Sequence, residues 1–282
     1  MLTRARDLAL SSHPGPTLAV TVLSALLAVS LGYEPARCVV IAIAILLGQL
    51  SIGWSNDWID AGRDRASGRL DKPVAAGRVS RRLVARAAVS AFVIGMAVSI
   101  SLGRAAAICH FVLVASGWAY NLGLKRTALS VAPFVVSFGL LPDVVTFAGV
   151  HGVVAAPWAT AVGAVFGVSI HFTNVLPDLA DDNATGVRGL PHRLGARTSG
   201  LVAFGALIVA AILVLVGPLV QDPGSSVTVA SVAGLVVALA IAAVGSRLVL
   251  TRPPDRMLFR LVILASLVIA VELVLSGTRL AG

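Results

Sequence analysis

Nine apolar stretches, each close to 20 residues long, divide this chain of 282 residues. They cover 16–33, 37–57, 83–102, 105–121, 129–149, 157–177, 198–217, 227–247 and 257–276. A helix of about 20 apolar residues crosses the hydrocarbon core of a bilayer. The pattern therefore predicts nine transmembrane helices joined by polar loops. Several stretches contain Gly or Pro, which membrane helices tolerate better than soluble ones. The chain reads as one all-α, polytopic membrane domain over 1–282. Its first residues, MLTRARDLALSSHPGP, do not read as a cleavable signal, because the polar SSHPGP cuts the apolar run short.

Composition points the same way. Hydrophobic residues make up 57% of the chain and charged residues 12%, against about 25% charged in soluble domains. The net charge of +9 would suit a nucleic-acid binder, but its distribution does not. With the N-terminus placed in the cytoplasm, all of the 22 basic residues except Arg37, Arg104 and Arg279 fall on the cytoplasmic side. That is the positive-inside bias. It predicts a multi-pass protein of the cell membrane with the N-terminus cytoplasmic, the C-terminus on the opposite side and no nucleic-acid partner. Cys38 and Cys109 lack metal-ligand spacing and read as apolar packing residues.

One polar stretch breaks the apolar pattern. NDWIDAGRDRASG, residues 56–68, follows a run from Val39 to Trp54 that carries no charge. The stretch recurs. Asn56, Asp60 and Asp64 match Asn174, Asp178 and Asp182; Gly68, Pro73 and Gly77 match Gly186, Pro191 and Gly195. Ala66 and Ser67 likewise match Ala184 and Thr185. Each copy sits at the cytoplasmic exit of an even-numbered span, so the repeat is parallel. Residues four apart stack on one helical face, so each copy should present a stripe of Asn, Asp and Asp. Asp57 stands beside the first stripe and Asp181 beside the second.

Two facing carboxylate stripes need cations to neutralise them. Hard oxygen donors without Cys or His suit Mg²⁺, which prefers few carboxylates together with water and phosphate oxygens. The pattern thus points to a Mg²⁺–diphosphate site, with Asp60, Asp64, Asp178 and Asp182 as the catalytic carboxylates. Cationic partners lie on the same membrane face: Lys125 and Arg126 in YNLGLKRT, Arg63 and Lys72 near the first stripe, and Arg188 after the second. Tyr120 precedes Lys125 by about one turn, where its ring would shield a carbocation; Trp54, Trp58 and Phe172 are further aromatic candidates. Asp143 is an ionisable group inside a predicted span and so a candidate to hold an acceptor, with a wet position near the outer face as the alternative.

NDWIDAGRD resembles the N-D-x-x-D-x-x-x-D motif of the UbiA superfamily of intramembrane prenyltransferases. NVLPDLADDNATGVRGLPHRLG is similar to that superfamily's second acidic motif, and YNLGLKRT to its Tyr-to-Lys-Arg link. The resemblance implies nine helices around a central cavity open to lipid. It implies two Mg²⁺ ions held by Asn56, Asp57, Asp60, Asp64, Asp178 and Asp182, with Asn174 one turn before Asp178. It also implies an isoprenyl diphosphate donor contacted by Lys125 and Arg126, and a lipophilic acceptor, aromatic or not, as in quinone or lipid biosynthesis. Two features depart from the pattern. Lys72–Pro73 stands where Arg–Pro is common, which keeps the charge but loses the guanidinium fork. Asp181 adjoins Asp182, which leaves open which of them is the ligand. Asn174, Tyr120, Asp181 and Asp143 are the substrate-binding candidates. A terpene cyclase using the same diphosphate site is the alternative function, and a transporter the more distant one.

Overall fold

The computed structural model of the protein describes residues 2–179, 182, 186–252 and 256–282. Asp181 lies outside the described residues. Among the described residues, ten α-helices follow in order: α1 Leu2–Leu10, α2 Pro14–Ser30, α3 Pro35–Ala66, α4 Arg81–Ile100, α5 Arg104–Leu122, α6 Ala132–Phe147, α7 Pro157–Val175, α8 Leu190–Gln221, α9 Val229–Thr251 and α10 Arg256–Leu275. All nine predicted stretches fall on helices, α2 to α10. Among the described residues the only extended pairing is an isolated bridge between Ala155 and Ala281.

Local chemistry sets the helix starts. Proline occupies the first turns of α2, α3 and α7, where its missing N–H costs nothing and its φ is already helical. Ser80 caps α4 by accepting from Leu83 N at 3.2 Å, and Thr228 caps α9 by accepting from Ser231 N at 3.1 Å. Both satisfy an end amide that the helix itself cannot.

Six described helices, α3 to α5 and α7 to α9, are long and apolar enough to cross a membrane. The pair α1–α2, bent by 70°, makes a seventh if counted as one span. Helix α6 is shorter, at 16 residues. Successive helices pack against each other from α2 to α10, α5 also leans on α3, and α10 returns onto α2 and α7. The bundle thereby closes on itself. Its core includes Ile41, Ile45, Leu113, Val145, Phe204 and Leu207. Val93, Ile94, Ile108, Phe111 and Leu264 face outward, as a lipid-facing surface requires.

Helix α3 runs nine residues past the stretch predicted from hydropathy. The whole first acidic motif therefore stands on rigid helix rather than in a loop. The segment after it, 67–80, folds back over the helix end. Val74 and Val79 are buried with Ala61 and Val84, and Leu8, Trp54 and Trp58 pack against them. Helix α1 is tied to this segment by Arg78 Nε, which donates to Asp7 Oδ1 at 3.2 Å.

The two acidic exits share their backbone geometry. Gly68 and Gly186 have φ of 72° and 79°, and Gly77 and Gly195 have 74° and 78°. Arg69 N donates to Asp64 O at 2.9 Å, and Val187 N donates to Asp182 O at the same distance. This hydrogen bond across a left-handed glycine closes the end of each motif. The sequence repeat is thus a repeat of structure. Its second copy diverges at Pro177. Helix α7 ends at Val175 and tightens into a 3-10 turn, Leu176–Asp178. Asn174 is exposed, and the even four-residue stripe expected for this copy is not kept. A proline lacks the N–H that an uninterrupted α-helix would use.

Candidate active site

Three carboxylates of α3 are buried together. Asp57, Asp60 and Asp64 are each no more than 3% exposed. Each is matched by a cation, as burial demands. Lys125, itself buried, places Nζ 2.6 and 2.5 Å from the two oxygens of Asp60. Lys72 reaches back from the 67–80 segment to Asp64 at 2.8 Å and Asp57 at 3.2 Å. His13 Nε2 lies 3.1 Å from Asp57 Oδ1. Burial pulls the Lys72 ammonium down, but Asp57 and Asp64 outweigh it and hold its pKa above the usual lysine value.

Arginines join the two motifs. Arg63 donates to Asp60 at 3.0 Å and Asp64 at 3.4 Å, and its other terminal nitrogen lies 3.9 Å from Asp182. Arg69 pairs with Asp71 and approaches Asp178 at 3.8 Å. The second motif is the wetter side: the Asp178 and Asp182 side chains are 47% and 22% exposed. Burial raises the Asp182 carboxyl, with Arg63 and His192 opposing. Backbone packing completes the assembly. A Cβ on Gly189 would stand 2.6 Å from the Lys125 carbonyl oxygen, so only glycine lets the second exit press on the Lys125 link. Ser130, five residues after Lys125, accepts from Leu190 N at 2.8 Å and bonds His171 at 3.0 Å.

An apolar cavity of about 100 Å³ opens beneath these charges, between α2, α3, α5 and α6. Tyr120 stands at its charged end, within electrostatic reach of Asp60, Asp178 and Asp182. Tyr120 packs edge-on against Phe134 at 5.1 Å and His171 at 5.9 Å. Gln49 and Ser137 bring polar atoms to the wall. Ser137 spends its hydroxyl on Leu113 O and Ser116.

The predicted residues thus divide. Asp57, Asp60, Asp64, Arg63, Lys72, Lys125, Asp178 and Asp182 are brought together, with Tyr120 below them. Asn56 borders the group: its Nδ2 donates to Asn121 Oδ1 at 3.0 Å, and Asn121 is fixed by Ile52 O and Ser55. Arg126 and Arg188 are exposed, with no side-chain contact to the carboxylates among the described residues. Asp143 is buried near the far end of α6, where it accepts from Ala155 N at 3.0 Å and Thr160 Oγ1 at 3.1 Å. Trp54 donates to Leu8 O at 2.8 Å, Trp58 packs against Trp118, and Phe172 is buried in the bundle. Sequence reasoning missed His13, Gln49, Asn121 and His192. Asn121 and His192 carried a signal, since they stand inside YNLGLKRT and NVLPDLADDNATGVRGLPHRLG.

Comparison with known proteins gives the chain's family and fold. The model of the UbiA prenyltransferase family matches residues 17–267. The chain belongs to the UbiA prenyltransferase family. It is 31% identical over 157 residues to a digeranylgeranylglyceryl phosphate synthase of Korarchaeum cryptofilum (strain OPF8), and spans 53% of that relative's length and of its own. Among solved structures, a UbiA homologue from Aeropyrum pernix K1 superposes with a TM-score of 0.70 at 17% identity, over 93% of this chain and 98% of that one. A UbiA homologue from Archaeoglobus fulgidus, bound to GPP and Mg²⁺, gives 0.69 at 11% identity, over 95% and 98%. At such low identity these two likenesses establish the fold.

Among the described residues, no group of three carboxylate, imidazole or thiol side chains forms a ready metal cage. The donor chemistry still fits Mg²⁺. The first motif offers only carboxylate oxygens, and those oxygens hold nitrogen cations at 2.5–3.2 Å. They are positions built for positive charge. The second motif adds two carboxylates with access to water, which Mg²⁺ retains in its coordination shell.

Proposed function

We propose that this family member is a Mg²⁺-dependent intramembrane prenyltransferase. It would ionise an isoprenyl diphosphate and pass the prenyl group to a lipophilic acceptor. The observation that carries this reading is the buried set Asp57, Asp60 and Asp64, each paired with a cation, directly above an apolar cavity that begins at Tyr120. The relative named as a synthase and the homologue bound to GPP and Mg²⁺ support the donor class.

In this reading Asp57, Asp60 and Asp64, with Asn56 beside them, would hold two Mg²⁺ ions from one side, and Asp178 and Asp182 would hold them from the other. When bound, Mg²⁺ neutralises diphosphate charge and stabilises it as a leaving group. Lys125, beside Asp60, and Lys72, beside Asp57 and Asp64, would present their ammonium groups to the phosphate oxygens. Arg63 lies between the motifs and clamps the same anion. The allylic C–O bond then breaks, and the electron pair leaves with diphosphate. The Tyr120 ring faces the cation, and the apolar cavity keeps water from capturing it. An acceptor atom bonds the prenyl carbon and loses its proton to the departing diphosphate. Gln49, whose side chain makes no hydrogen bond among the described residues, offers an amide to a polar atom of that acceptor inside the cavity. Nine spans, a cytoplasmic N-terminus and a cytoplasmic active site in the cell membrane complete the proposal.

The test is purified protein with geranyl, farnesyl and geranylgeranyl diphosphates, Mg²⁺ and an extract of native lipids, read by mass spectrometry. A prenylated lipid that requires both Mg²⁺ and extract is expected. A terpene released without any extract would identify a cyclase instead.

A further inference from the structure

The cavity beneath Tyr120 does not end blindly. A second void of about 20 Å³ lies beyond it, lined by Leu23 and Leu27 of α2, Val162 and Phe166 of α7, and Ile269 and Leu273 of α10. Phe138 and Leu141 line both spaces. They form a partition across one apolar column that descends from the carboxylates into the far half of the bundle. Along α6, Phe134 at the charged end and Leu141 at the partition are separated by about 10 Å of helix rise. The Phe138 ring also meets Phe166 edge-on at 5.5 Å, which braces it from the distal side.

The partition cannot slide out of the way. A Cβ on Gly163 would stand 2.2 Å from the Phe138 carbonyl oxygen, and one on Gly167 would stand 2.3 Å from that of Phe134. At these two glycines α7 presses directly on the backbone of α6 and fixes the height of both rings. Close-packed walls of this kind resist the insertion of extra methylene groups.

We propose that Phe138 sets the prenyl chain length this protein accepts, by closing the lower end of the tail cavity. The inference rests on the donor reading above. A tail that ends above Phe138 fits the upper cavity; a longer one must displace the ring to reach the void below. Phe138→Ala joins the two spaces, and Phe138→Trp shortens the upper one.

The test measures Mg²⁺-dependent binding of geranyl, farnesyl and geranylgeranyl thiolodiphosphates, which do not ionise, to the full chain in detergent. The wild type is expected to bind the longest tail more weakly than the shortest. Phe138→Ala should reduce that discrimination at least tenfold, and Phe138→Trp should sharpen it. Leu273→Ala, which enlarges only the lower void and leaves the Phe166 brace in place, should leave the wild-type ratio within about twofold. Equal binding of all three tails by the wild type would overturn the proposal. So would an unchanged ratio in Phe138→Ala, or an equal loss of all three. If the wild type binds none of them, the donor reading falls and the proposal with it.

Discussion

The Lys125 ammonium sits between both oxygens of the Asp60 carboxylate, 2.6 and 2.5 Å away, with both side chains buried. One residue comes from the end of α3 and the other from the short link after α5. A pair so thoroughly removed from water makes each partner costly to lose alone. Removing one member of a buried pair costs about 3–5 kcal/mol, because the other charge stays behind without a partner.

Lys125→Met should therefore lower stability by about 3 kcal/mol, the low end of that range, because Arg63 still contacts Asp60. The double variant Lys125→Met/Asp60→Asn should recover part of the loss. Thermal unfolding in detergent reads both. A double variant no better than the single would show that the pair is not coupled.

Carboxylate loss on either side should stop turnover without unfolding the protein. Asp60→Ala and Asp178→Ala are each expected to abolish Mg²⁺-dependent diphosphate release. The Asp178 variant should keep wild-type thermal stability, since its side chain is half exposed. Normal release by either variant would break the two-sided site.

Gly68→Ala and Gly186→Ala should destabilise by similar amounts. Nothing lies within 4 Å of a Cβ at either position, and both have φ in the left-handed region. The cost is then backbone strain alone, about 1–2 kcal/mol. Equal shifts in the unfolding temperature would confirm that the two motif exits are the same device used twice.

Alkaline pH should loosen the first motif. The Lys72 pKa is raised, so its stabilising effect is complete below the unfolded lysine value, about 10.4. The effect is lost as pH rises through the higher folded value. The wild type should lose stability in that window, and Lys72→Met should show a flatter profile there.

Much of this was readable from residue order. Apolar stretches marked every helix from α2 to α10, because lipid and core both demand apolar surface and the loops do not. The echo of Asn56–Gly77 in Asn174–Gly195 foretold a shared backbone, since left-handed turns need glycine in both copies. Lys72, Lys125 and Arg63 were expected at this site as diphosphate contacts; that they pair with the carboxylates came from the structure. Three more things were not readable. Pro177 bent the second stripe through a local backbone effect that the four-residue spacing concealed. His13 reached Asp57 only because α1 and α2 meet at a sharp bend, and Gln49 lined the cavity only because α2, α5 and α6 leave space there. Such contacts depend on how helices pack, which no local pattern encodes.

The central claim is that both acidic motifs grip one Mg²⁺–diphosphate. Calorimetric titration of geranyl thiolodiphosphate into wild-type protein, Asp60→Asn and Asp178→Asn, each with Mg²⁺ and with EDTA, tests it most directly. Tight binding by the wild type in Mg²⁺ alone, lost in both variants, is the predicted result. Binding that survives EDTA, or that survives either substitution, would contradict it.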